Sequence, residues 1–476
     1  MAYTVIVSAI LYALAFVYPV FGFVLIIAAL SLLFYGALDQ QYTLIDGLLW
    51  GSAVYVVHAL PLSTYLHTYS RTSIALVGWI LFGLYTASYA GVWFFLTSFI
   101  CSAIDNKYIL FYKLIVWMLT TFLYIQVMTT CFLWIFDICE GYCCLHPLVP
   151  LMETKALRSL VYYLGIHITT FIIIITACVL VFFWASNYKK LLLLMAAFLL
   201  SVYWYADQSY TSTAKPSWLS QVAYASVPFD TSLKTNAHEI GLQVLTVLQK
   251  TRDAFPDATL LLMPESTFPY CLQEYDAIMR MWRAWVLNSP EYRQAAGLML
   301  GAHRNSSCNS RVYNTCYYCT SDGVLEHYDK IHGLFFAERL PEYFKKSLSF
   351  FNFYQSKNYN ILKNKLKKNS CSDKNKYFEQ AFDSGTVFKW NDQIIVPFIC
   401  SEFFFGSVKQ VESDTILCLV NDAWFGYRYM RNILFLNAVL RACDEHKTIL
   451  YVSHARGTWI DQYGNQGDLP SISTPD

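Results

Sequence analysis

Charge is scarce in this chain. Asp, Glu, Lys and Arg make up 14% of it, against about 25% in an ordinary soluble domain, so much of the surface is not expected to face water. The formal net charge is only +1. No dense basic stripe interleaved with aromatics lies on a folded segment, which argues against nucleic acid as a partner. There is no HExxH and no CxxC…CxxC pattern, so neither a metal site nor another cofactor is expected. No small-residue cleavage site follows a short apolar core at the start, which excludes a removable signal peptide. Cysteine is not scarce, with 14 scattered along the chain. Cys139, Cys143 and Cys144 cluster in one region, and Cys308, Cys316 and Cys319 in another. Disulfides outside the cytoplasm and free thiols both fit these clusters.

Apolar residues are abundant, at 56%, and they are unevenly spread. Residues 1–206 are mostly apolar, and residues 207–476 read as a soluble α/β domain. A spanning helix needs roughly 20 apolar residues. Seven runs qualify, near 4–17, 19–37, 43–62, 73–103, 109–135, 158–185 and 190–206, with Tyr and Trp frequent near their ends. If the N-terminus is cytoplasmic, the inside loops hold Lys107, Lys113, Lys189 and Lys190. The outside loops then hold Arg71, Lys155 and Arg158 beside the acidic Asp137, Glu140 and Glu153. This bias favours an inside N-terminus. Seven crossings put the second half outside the cytoplasmic membrane. No eighth apolar run follows that half, so the seven spans are expected to hold it against the bilayer by themselves.

The second half alternates strand and helix patterns. A helix is predicted over 237–254, buried strands over 258–263 and 297–302, and a hairpin whose second strand ends at Lys330. A second hairpin, GTVFKW-ND-QIIVPFI, ends at Cys400. Strand TILCLV runs into Asn421, and a helix over 431–446 and strand TILYVS follow. A mixed sheet with helices packed on it is the expected result. Residues 355–377, rich in Lys, Asn and Ser, break the pattern as a solvated insertion or a basic loop for anionic headgroups.

Three motifs each put a reactive side chain at a strand end: LLLMPES with Glu265, EHYDKIHG with Lys330, and VPFICSE with Cys400. A thiol attacks a carbonyl well only as thiolate, so it needs a base and a positive neighbour. Glu265 supplies the base. Lys330 supplies the charge that stabilises thiolate and oxyanion. Each residue also has a plainer use. Cys400 suits a buried core, Glu265 a helix start, and Lys330 an exposed strand end. Glu402 suits the first turn of a helix, and Trp424 and Phe425 suit a core. The order of the motifs favours the chemical reading. His332 and His454 read as structural or surface residues.

That order of MPES, YDKIHG, ICSE and NDAWFG resembles the carbon–nitrogen hydrolase (nitrilase) superfamily. The seven spans ahead of it resemble its membrane-embedded branch, the apolipoprotein N-acyltransferases. The resemblance implies a multi-pass α-helical membrane bundle followed by an α/β domain of nitrilase-like α-β-β-α sandwich form. It implies Glu265 as general base, Lys330 as the triad lysine and Cys400 as nucleophile. It assigns supporting roles to Glu338, eight residues after Lys330, to Glu402, two after the nucleophile, and to Asn314 in a YNT segment. Trp424 and Phe425 match aromatics that line an acyl site. The chain departs from the pattern at Ser401, where tyrosine is usual, and at SHARG (453–457), where a TNTG-like segment is usual.

The implied activity is a two-step acyl transfer in a bacterial inner membrane, with the catalytic domain on the periplasmic side. A phospholipid donates an acyl chain to the cysteine. The thioester then passes it to the N-terminal amine of a diacylated apolipoprotein. Two alternatives stand beside this reading: a membrane-anchored amidase or nitrilase of a small amide, and a non-catalytic lipoprotein-binding relative.

Overall fold

A computed structural model describes residues 2–39, 41–69, 72–103, 109–134, 146–186, 188, 201, 215–228, 236–282, 284, 297–305, 312–320, 325–330, 387–400, 402–405, 413–424 and 428–472. By packing these form two compact units. The first is Met1–Thr211 with Phe425–Asp444, and the second is Ser212–Trp424 with Glu445–Asp476. The first unit thus takes in a segment that lies far along the chain from the apolar half.

The first unit is helical. Helices α1 (Ala2–Val17), α2 (Gly22–Asp39), α3 (Leu44–Tyr69), α4 (Thr72–Ser102), α5 (Ile109–Trp134) and α6 (Lys155–Ala185) fall on six of the seven apolar runs. Among the described residues, three stretches are long and apolar enough to cross a membrane: Pro19–Leu38, Leu110–Val127 and Lys155–Ala185. Tyr3–Val17, Leu44–Val56 and Ala87–Ser102 are shorter apolar helices. The run near 190–206 lies outside the described residues except for Ser201. A full seven-span bundle is therefore more than the described helices carry.

Helix α6 is two helices joined at Gly165, whose φ of 76° no other residue type adopts cheaply. The break leaves the N–H of Ile166 without its helical acceptor. Asp444, near the end of α10 (Arg428–Glu445), accepts it at 3.1 Å. A carboxylate capping a helix start across 278 positions of chain helps explain why 425–444 packs with the helical unit. His146 is buried nearby, and burial pushes its imidazole down to about 3, helped by the charge of His167.

The second unit holds two six-stranded sheets. The first contains β1 (Val222–Tyr224), β2 (Leu260–Leu262), β3 (Phe268–Cys271), β4 (Gly297–Asn305), β5 (Val312–Thr320) and β6 (Leu325–Asp329). Its order is β1-β2-β4-β5-β6, with β3 paired to β4. The second contains β7 (Phe388–Trp390), β8 (Gln393–Ile399), β9 (Thr415–Val420), β10 (Thr448–Ser453), β11 (Gly457–Ile460) and β12 (Gln466–Asp468), ordered β12-β11-β10-β9-β8-β7. Strands β1, β2 and β4 run parallel, as do β8, β9 and β10. All six residues of β9 are buried, which is why TILCLV reads as a continuous apolar run rather than an alternation.

One apolar core joins facing sides of both sheets. It includes Leu260, Leu262, Met299 and Tyr318 from the first, and Ile399, Leu417, Leu419, Leu450 and Val452 from the second. A second core packs the other face of the first sheet, through Leu261, Leu298 and Leu300, against α7 (Ala237–Ala254) and α8 (Asp276–Trp282). Helix α7 starts where the sequence says it should: Asn236 caps it by accepting the Glu239 N–H at 2.9 Å. The hairpin β7–β8 turns at Asn391-Asp392, with Asn391 at φ 50°, a conformation asparagine tolerates better than most residues. Cys316 and Cys319 are both buried. Cys139, Cys143, Cys144 and Cys308 lie outside the described residues, as does the 355–377 insertion.

Candidate active site

Glu265, Asn314, Lys330 and Cys400 sit at or near the ends of strands whose inner faces meet in the shared core. Glu265 follows β2 by three residues and is buried. Its Oε1 accepts from Asn314 Nδ2 at 2.5 Å and lies 3.4 Å from Lys330 Nζ. Its Oε2 accepts the Asn421 backbone N–H at 2.8 Å. Three donors thus converge on one carboxylate. Lys330 is itself buried and ion-paired with Glu265. Its backbone N–H donates to the Asn314 carbonyl at 2.7 Å, so strand β5 orients two of the three partners of Glu265.

The loop carrying Glu265 runs against bare backbone. A Cβ added at Gly301 of β4 would lie 2.6 Å from Glu265 Cα and 2.7 Å from the Ser266 nitrogen. Only glycine lets the strand come so close. Ser266 itself has φ 56°, so the chain turns sharply just after the carboxylate.

Cys400 follows β8 directly, at φ 51°, and is partly buried against the shared core. A non-glycine residue in this region costs of order 1–3 kcal/mol, so the surrounding bonds must hold it there. Its N–H donates to Leu419 at 2.7 Å, and its carbonyl accepts from Phe403 at 3.1 Å. The second bond opens the short helix α9 (Glu402–Phe405). Strand, strained cysteine and helix together form a sharp elbow, the kind of turn on which a nucleophile can be presented.

Glu402 ties this elbow to the opposite sheet. Its Oε2 accepts the Ile399 N–H at 2.9 Å, and its Oε1 accepts from the Tyr328 hydroxyl at 3.0 Å. Tyr328 stands two residues before Lys330 on β6, so both project to the same side. Burial pushes the Tyr328 phenol well above its ordinary value, and the Glu402 charge adds to that. The phenol therefore remains a donor at any working pH. On the opposite face of β6, Asp329 accepts from Arg304 Nε at 2.8 Å, makes a second bond to the same guanidinium, and accepts from Thr315 at 2.7 Å.

Of the residues predicted from sequence, Glu265, Lys330 and Asn314 touch one another, and Glu402 braces the turn bearing Cys400. Glu338 and Phe425 lie outside the described residues. Trp424 ends the turn Asp422–Trp424 after β9, and its side chain is likewise outside them. Among the described residues no cluster of His, Cys, Asp or Glu is arranged to hold a metal. Sequence reasoning missed Tyr328, Asn421 and His454. Tyr328 was open to a same-face argument from Lys330, and Asn421 to its place just after a buried strand. Nothing local marks His454, whose Nε2 lies 2.9 Å from the Glu265 carbonyl.

No family model matches the chain. No curated protein matches it either. Among solved structures, a CN-hydrolase superfamily protein from Xanthomonas campestris with an arsenic adduct in its active site is 14% identical, with a TM-score of 0.32. That match covers 53% of this chain and 87% of the other. A glutamine-dependent NAD(+) synthetase from Cytophaga hutchinsonii is 10% identical, with a TM-score of 0.31, covering 52% of this chain and 40% of the synthetase. Both likenesses are distant, and neither carries an argument about substrate.

Proposed function

We propose that the chain is a membrane-bound N-acyltransferase working through a Cys400 thioester. The observation that carries this reading is the convergence of Asn314, Lys330 and the Asn421 N–H on Glu265, beside strands that deliver Cys400 at a strained elbow. In the first step Glu265 takes the Cys400 proton and the thiolate attacks the acyl ester carbonyl of a phospholipid. Lys330 stabilises the oxyanion. The tetrahedral species collapses with loss of the lysophospholipid alkoxide, which takes a proton from Glu265. In the second step the free α-amine of a diacylated apolipoprotein attacks the thioester. Glu265 accepts the amine proton and Cys400 leaves as thiolate, forming the amide. Glu338, Trp424 and Phe425 are proposed to line the acyl and acceptor sites.

The choice of a lipid donor rests on the apolar helical unit, three of whose helices have the length and composition of membrane spans. A bacterial inner membrane with the domain on its outer side is the matching location. The test is acyl-enzyme trapping on purified full-length chain with phospholipid vesicles, read by intact-protein mass spectrometry. A fatty-acyl mass gain confined to Cys400 supports the reading. A small acyl adduct from short amides, with none from lipid, replaces it with an amidase. No adduct from either class leaves a binding protein.

A further inference from the structure

Both ring nitrogens of His454 face carbonyl oxygens. Nε2 lies 2.9 Å from the carbonyl of Glu265, and Nδ1 lies 3.3 Å from the carbonyl of Val227. A carbonyl only accepts. A neutral imidazole has one N–H and one lone pair, so in either tautomer one nitrogen would point a lone pair at a carbonyl lone pair. Only the imidazolium donates on both sides.

The ring is not loosely placed. The His454 carbonyl accepts from the Tyr224 hydroxyl at 3.2 Å and from Ser226 Oγ at 3.2 Å. The next N–H, of Ala455, donates to Asp422 Oδ1 at 3.2 Å. Ser453 and Arg456 close the turn with a 2.9 Å backbone bond. Among the described residues, the charged and titratable groups tied to this segment are Glu265 with its partner Lys330, Asp422 after β9, Tyr224 from β1, and Tyr451 with Arg456 from β10 and its turn. Arg456 lies over the Tyr451 ring, 5.9 Å from its centre.

We propose that His454 is a doubly protonated positioning residue for Glu265. It clamps the peptide just after the carboxylate from one side, while the bare backbone of Gly301 bounds the same loop from the other. This inference rests on Glu265 being the base of the reactive site. The clamp is complete while the ring is charged and loses one of its two bonds as pH rises through the ring's titration. Glu265 then loses its fixed approach to the thiol, with Glu265, Lys330 and Cys400 all still present.

The test uses the full-length protein in detergent with ¹⁵N-labelled histidine. The His454 signals are assigned by their loss in His454→Gln or, if that variant does not fold, in His454→Asn. At neutral pH both ring nitrogens are expected at imidazolium shifts. A one-protonated, one-bare pattern at that pH overturns the proposal. The second arm is the rate of Cys400 alkylation by iodoacetamide, read by peptide mass spectrometry, which asks nothing of any lipid. At neutral pH His454→Gln is expected to be roughly tenfold slower, the loss of one charge-assisted bond. The ratio to wild type should shrink toward one above the pH at which the nitrogen signals titrate. A ratio that stays constant with pH makes His454 merely structural. If lipid yields no acyl adduct while both arms behave as expected, the acyltransferase reading falls and the clamp stands.

Discussion

In the helical unit, buried and half-buried threonines turn back on their own helix. Thr97 bonds the carbonyl of Trp93 at 2.7 Å, Thr121 that of Trp117 at 2.5 Å, and Thr170 that of Ile166 at 2.7 Å. In the α/β unit the site's polar groups reach across the chain. Asn314, Lys330 and Asn421 meet Glu265 from 49, 65 and 156 positions away, and Tyr328 meets Glu402 from 74 away. Such local bonds let a helix satisfy some of its own polar groups without a partner from elsewhere. Distant bonds make the site a property of the assembled sheets, so no one segment carries it. Some bonds do join different helices of the helical unit, as when Ser8 reaches the Ala29 carbonyl at 2.8 Å and Thr97 reaches Thr120 at 2.9 Å. Among those described, the one spanning most chain, Asp444 on Ile166, sits where Gly165 has interrupted the helix.

Four substitution experiments strain this contrast. The largest effect is expected within the distant network. Cys400→Ala should abolish acyl-enzyme formation, and Glu265→Gln and Lys330→Ala should each slow single-turnover acylation by about 10²–10⁴-fold. If the three act as one unit, as proposed, the Glu265→Gln, Lys330→Ala double variant should be little worse than either. Additive losses would mean that the ion pair does not work as a unit. Next comes Tyr328→Phe, which leaves Glu402 Oε1 buried without its phenol. A loss of about 1–3 kcal/mol is expected, read as a lower denaturation midpoint together with slower Cys400 alkylation. Unchanged alkylation would detach the Tyr328–Glu402 brace from the elbow.

The third experiment concerns His146. Its imidazole is lowered by burial, so it folds neutral. Its contribution to stability is full above about 6.5, the unfolded value, and is lost as pH falls toward about 3. In detergent, the thermal midpoint of wild type should fall through that window more steeply than that of His146→Gln. Parallel curves would show that His146 is not what titrates. The smallest effect is expected for Thr121→Val. Its hydroxyl serves only its own helix, so stability should move by no more than about 0.5 kcal/mol. A large loss would show that the helical unit depends on more than local bonds.

The elements were largely legible because their signals are local. Helix α7 was predicted over 237–254 and observed there, Asn236 at its start being a cap the eye can find. TILCLV and TILYVS were readable as strands from unbroken apolar runs. The ND turn announced β7 and β8. Strand β3 was missed: FPYC carries a proline, holds one buried residue and pairs with β4 through a register shift. The site was half legible. Glu265 and Lys330, picked out by chemistry and order, do meet, and Cys400 sits where strand β8 ends, as expected. Tyr328 and His454 act through bonds to residues 74 and 189 positions away, and sequence spacing holds no record of such partners. Nor does the sequence announce that 425–444 packs with the helices, because a single carboxylate meeting a helix break is invisible until both are folded.

Gly301 gives the molecule an unusual kind of fragility. Alanine there would add one methyl to a buried strand, apolar among apolar neighbours, the sort of change most cores absorb. Yet the space that methyl needs is already filled by the backbone of Glu265 and Ser266. A survey of natural variants that scores polarity or reactive groups would rank the change as innocuous. It would nonetheless displace the carboxylate's loop while every reactive residue stayed encoded. A lineage in which this position mutates would keep every residue of the candidate site in its gene while losing the packing that holds the Glu265 loop.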